Sequence, residues 1–150
     1  MARYLSRADL SRIAGKYIDQ YYTRFGISKD APEPIDPERL ASAVLGLNVK
    51  MLPLCCDGSV LGLTVFQRCG FTVILGDGTK LVEIFMPKDV VIDSALAADS
   101  CTGCRNFTIA HEAAHHILAD LFPNDYGKAV KCRGHIAYRE QNGQPSWEEW

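Results

Sequence analysis

No stretch of this sequence reaches the about eighteen unbroken apolar residues that a membrane-spanning helix needs. No basic run stands out either: 16 Lys and Arg stand against 18 Asp and Glu, for a net charge of -2. That balance leaves no electrostatic footprint for nucleic acid. The N-terminal "MARYLSRADLSRIAGKYIDQYY" lacks the uncharged apolar core of a signal peptide. Export is therefore not expected, and the expected location is the cytoplasm, a reducing compartment. There the six cysteines, Cys55, Cys56, Cys69, Cys101, Cys104 and Cys132, are expected as thiols or metal ligands rather than disulfides. Internal repeats and low-complexity segments are also missing.

What is present is an ordinary composition, 47% apolar and 23% charged over 150 residues, enough for one domain with a sizeable core. Residues 2–24 read as an amphipathic helix, with Leu5, Ile13, Tyr17, Ile18, Tyr21 and Tyr22 mostly on one stripe. A proline-rich linker follows at about 26–37, and a core region spans 38–150. Asp36 and Pro37 predict an N-cap and first position for a short helix to Leu45, ended by Gly46. The segments "NVKMLPL", "VLGLTVF", "FTVIL", "LVEIF" and "VVIDSAL" read as strands, with "RCG" and "GDGT" as breaks. Such short connections predict antiparallel neighbours. A long helix is predicted over 105–122, its buried stripe made by Ala110, Ala113, Ala114, Ile117, Leu118 and Leu121, and stopped by Pro123. Residues 123–145 are polar and carry no clear element, a length that is unusual unless functional or tied down. At the end, "SWEEW" opens a helix with Ser146 as N-cap and Glu149 three residues on. One turn is not stable alone, so the sequence is expected to be a C-terminally truncated piece of a longer protein.

The chemistry lies in "FTIAHEAAHHIL". His111-Glu112-x-x-His115 is an H-E-x-x-H pattern on a predicted helix. Residues four apart share a helix face, so two imidazoles there can converge on one tetrahedral Zn2+. Zinc makes a water acidic near neutral pH, and Glu112 is placed to take its proton as general base, the chemistry of peptide hydrolysis. His116 is one residue off that face and is expected at the surface, paired with Asp120. A catalytic zinc needs a third protein ligand. The extended H-E-x-x-H-x-x-G-x-x-H motif is absent, with Leu118 at its Gly position and Leu121 at its last His position. That leaves Glu148 and Glu149 on the later helix, or His135 from the polar segment.

"RNFTIAHEAAHHIL" is similar to the metal-site segment of the ImmA/IrrE family of metallopeptidases. The resemblance is close over that segment and loose over the wider order of helix, helix ending in "LGL", small sheet and H-E-x-x-H helix. The family's third ligand is a Glu opening a later helix, and "WEEW" resembles its start. The resemblance implies zinc bound by His111, His115 and Glu149, Glu112 as base, and an α+β zincin-like fold with a small antiparallel or mixed sheet. It also implies a protein or peptide substrate. Characterised members cleave repressor-type transcription factors. Many carry a helix-turn-helix DNA-binding segment, and none is recognised in this sequence.

A second pattern, Cys101-x-x-Cys104 and Cys132-x-x-His135, has the half-site spacings of a closed structural zinc. It supports the alternative of a structural-zinc or non-catalytic protein-binding domain. Cys55, Cys56 and Cys69 read as packing residues. For substrate, "VVIDSAL" is expected to offer a sheet edge for strand addition, since it leads into the site. Tyr126, Tyr138, His135 and Arg105 are the candidate oxyanion donors.

Overall fold

The computed structural model describes residues 4–54, 60–75 and 77–127, with the side chain of Ile74 left aside. The first helix, α1, is Arg7–Phe25. It starts later than its apolar stripe suggests because Ser6 caps it. Ser6 Oγ accepts from the Asp9 N–H at 3.1 Å, and Asp9 Oδ2 accepts from the Ser6 N–H at 3.0 Å. Gly26, at φ 65°, turns the chain out. The second helix, α2, is Pro37–Arg39, and runs on as a π-helical turn, Leu40–Val44. Its Asp36 cap and its exit near Gly46, at φ 67°, fall where the sequence puts them.

Among the described residues five strands follow: β1 Asn48–Leu52, β2 Gly62–Thr64, β3 Cys69–Ile74, β4 Lys80–Phe85 and β5 Asp89–Asp93. Cys69 and Gly70, expected as part of a break, instead begin β3. The three-stranded sheet has the order β1-β5-β2, and β3 and β4 form a separate antiparallel ribbon. The arrangement is α+β with a mixed sheet. β5 pairs parallel with β1, from Asn48↔Asp89 to Leu52↔Asp93, and antiparallel with β2. The expectation of antiparallel neighbours across short turns holds for β3 and β4; β1 and β5 are distant in sequence, fall outside it and pair parallel.

β5 is therefore central. Both of its edges are taken, and all five residues are buried. The expectation that "VVIDSAL" offers a free edge to substrate is overturned, since that run is apolar to fill two faces. Val90 and Ile92 pack with Ala41, Leu47, Ile109 and Ala113 on the helical side. Val91 points the other way, to Leu63, Val65 and Phe85. Its first residue, Asp89, is 1% exposed and accepts from Lys50 Nζ at 2.9 Å and from the Met86 N–H at 2.9 Å. This buried carboxylate ties β1, β5 and the exit of the ribbon together.

After β5 a 3₁₀ turn, Ser94–Ala97, and a second, Asp99–Cys101, lead into α3, Thr102–Leu121. A π-helical turn, Pro123–Gly127, ends the described chain. No helix among the described residues is long and apolar enough to cross a membrane. Phe85 is the anchor of the ribbon, 1% exposed and stacked with Phe71 at 6.0 Å. Phe85→Ala is expected to cost about 3–5 kcal/mol in a urea titration, and a loss below about 1 kcal/mol would show that the ribbon is held elsewhere.

Candidate metal centre

α3 carries the site, and its orientation is set at its start. Arg105 Nη1 donates to the carbonyls of Leu96 at 2.9 Å and Ala97 at 3.0 Å, fastening the helix to the turn after β5. The guanidinium fork is thus turned to main-chain carbonyls at the start of the helix. The buried face of α3 is Thr108, Ile109, Glu112, Ala113, His116 and Ala119. The expected stripe is rotated: Ala110, Ala114 and Leu121 are exposed. Three polar residues, Thr108, Glu112 and His116, lie on the buried face instead.

Glu112 is 2% exposed. Its Oε2 accepts from Thr64 Oγ1 at 2.5 Å, and the same hydroxyl lies 3.2 Å from the Glu112 main-chain oxygen. Two residues earlier on β2, Gly62 lies directly against the helix. A Cβ there would stand 2.8 Å from Thr108 Cγ2 and 3.1 Å from Glu112 Oε1. The Thr108 methyl is held there by its hydroxyl, which donates to the Cys104 carbonyl at 2.8 Å. Gly62 and Thr64 were not singled out from the sequence. The available signal was a glycine inside a strand pattern, "VLGLT", which marks a bulge or a close backbone approach.

His111 and His115 are half-buried on the flank of α3, and their Nε2 atoms stand 3.2 Å apart. The rings meet edge to face, 80° between planes and 4.8 Å between centroids. A tetrahedral zinc with bonds of about 2.0–2.1 Å separates its nitrogen ligands by about 3.3–3.4 Å. The pair therefore fits two corners of such an ion. Without an ion, the same distance suits one shared N–H···N proton. Phe107, 72% exposed, lies one turn earlier with its ring 6.2 Å from that of His111. Among the described residues no group of three or more His, Cys, Asp or Glu side chains is placed to hold a metal. Glu148 and Glu149, the candidate third ligands, and His135 and Tyr138 lie outside the described residues. So do Cys132 of the second pattern and the pair Cys55 and Cys56. Of that second pattern, Cys101 is partly buried against the helix-side core and Cys104 is exposed.

His116 is not at the surface. It is 7% exposed, its ring is 5.0 Å from that of Phe66, and Nε2 has no hydrogen-bond partner among the described residues. The expected surface pairing with Asp120 is corrected by helix geometry: His116 is four residues after Glu112, so it faces the sheet with it. Burial lowers its proton affinity below the ordinary value of 6.5. The Asp89 carbonyl and the carboxylates of Asp120 and Asp89 pull the other way, and Lys88 adds to the lowering.

Two outcomes follow from this packing. Gly62→Ala is expected to cost about 1–3 kcal/mol by urea titration, since Thr108 and Glu112 belong to a buried helix face and must shift; a neutral result would show that α3 relaxes away freely. In the metal-free protein, His116 is protonated more readily when unfolded than when folded. Stability then rises with pH and is lost as pH falls below about 6.5. His116→Asn is expected to flatten that part of the curve below about pH 6.5, and an unchanged slope would assign it to other groups. Comparison with protein-family models, curated proteins and solved structures gave no match to this chain.

Proposed function

We propose that this chain is the zinc-binding part of a cytoplasmic, zincin-like endopeptidase that hydrolyses a peptide bond in a protein substrate. The observation that carries the reading is the 3.2 Å approach of His111 Nε2 and His115 Nε2, on the same helix as the buried carboxylate of Glu112. Zn2+ there would be held by both histidines, with Glu149 as third ligand by the resemblance of "WEEW" to the ImmA/IrrE pattern. The ion supplies Lewis acidity, which makes a water acidic near neutral pH and polarises a carbonyl. Glu112 takes up the proton of the attacking water and returns it to the departing amine. The resemblance extends the reading to a regulatory protein, of the repressor type, as substrate.

The same burial favours a second reading, in which Glu112 is a structural carboxylate and the domain binds a protein partner without cleaving it. Two variants separate the readings. His115→Ala, purified without chelators, is expected to lose about one zinc equivalent per chain by elemental analysis. Equal zinc in both proteins would remove the metal site from this helix. Glu112→Gln is expected to keep zinc and lose about 10²–10⁴-fold in hydrolysis of a fluorogenic peptide pool. Hydrolysis that persists in this variant would leave the carboxylate a structural role only.

A further inference from the structure

The face of β2 that meets α3 is built around one side chain. Thr64, 0% exposed, brings its hydroxyl to both the carboxylate and the main-chain oxygen of Glu112, at 2.5 Å and 3.2 Å. Contact with both ends of one residue restricts that residue's side-chain torsions. Gly62, on the same face of the strand, clears the place beside Oε1 that a Cβ would enter at 3.1 Å. Packing alone does not require this pair. Valine has the shape of threonine, and a buried hydroxyl is costly unless it is bonded. A hydroxyl for one carboxylate oxygen and a missing side chain beside the other form a cradle for a carboxylate in one orientation.

We infer that Thr64 is a positioning residue: its hydroxyl aims the Glu112 carboxylate for proton transfer, and Gly62 supplies the clearance. The inference rests on the reading of Glu112 as general base. Thr64 touches no substrate atom in this scheme and acts only through Glu112. The precision matters because proton transfer demands heavy-atom approach within about 2.6–3.2 Å, and the flexible three-bond side chain of a glutamate does not hold that by itself.

The test uses Thr64→Val, which keeps shape and removes the hydroxyl, and Thr64→Ser, which keeps the hydroxyl. Thr64→Ala replaces the valine variant if that one does not fold. The first readout needs neither metal nor activity: the ¹³C carboxylate resonance of Glu112 in the metal-free protein, assigned by its loss in Glu112→Gln. It is expected to move in Thr64→Val and to return in Thr64→Ser. An unmoved resonance in Thr64→Val overturns the proposed hold. The second readout is hydrolysis of the fluorogenic peptide pool by the zinc-loaded proteins. Thr64→Val is expected to keep its zinc and its KM while kcat falls about 10–100-fold, with Thr64→Ser restoring most of it. An unchanged kcat, or a fall that serine does not restore, overturns the positioning role. A wild-type chain that binds zinc and hydrolyses nothing sinks the peptidase reading itself, and the resonance then decides the Thr64 hold separately.

Discussion

Helix α3 can lie as close to β2 as it does only because Gly62 has no side chain. That clearance fixes the roll of the helix, and the roll fixes everything the helix carries. Successive residues turn by about 100°. With Glu112 against the strand, His116 one turn later must also face the sheet, while His111 and His115 are carried to the flank. The flank position of the histidine pair, the burial of the carboxylate and the burial of His116 are thus one geometric fact seen at four positions.

The strand beneath is held by a second constraint. β5 is flanked on both edges and covered on both faces, with Val90 and Ile92 toward the helices and Val91 toward the ribbon. Such a strand cannot slip by one residue without moving each side chain into the wrong core. Its first residue, Asp89, accepts from Lys50 and from the Met86 main chain, so the buried charge is paired rather than isolated. The register of β5 then sets the register of β2 and so the positions of Gly62 and Thr64 under α3.

Of the buried polar side chains among the described residues, Thr64, Thr108, Glu112 and His116 lie between α3 and the sheet, and Asp89 and Asp93 stand at the two ends of β5. Glu112, Thr64 and Thr108 are bonded to one another or to nearby main chain, and Arg105 anchors the start of the helix to the turn that follows β5. Polar groups removed from water are tolerated when they are satisfied, and a satisfied set resists rearrangement. A rigid helix flank is what two ligands need if they are to meet one ion without reorganising. That is the physical link between the packing of α3 and the zinc reading of its exposed side.

Some of this was legible in the residues themselves. The helix cap at Asp36 is local chemistry and sets a helix start; the cap at Ser6 is equally local, but the apolar stripe drew the start of α1 too early, at residue 2. The helical nature of "FTIAHEAAHHIL" and the shared face of His111 and His115 follow from a spacing of four alone. The roll of that helix did not follow, because a stripe of alanines and leucines is compatible with more than one face. Only contact with β2 selected the face that buries Glu112 and His116. Strand order was hidden for a similar reason: β1 and β5 are far apart in sequence, and apolar alternation says that a strand is buried without saying who its neighbours are. The sequence by itself determined the elements and the histidine pair, which depend on neighbours along the chain. The tertiary structure alone decided that Gly62 and Thr64 lie against Glu112, because their meaning lies in the helix some fifty residues away that rests on them.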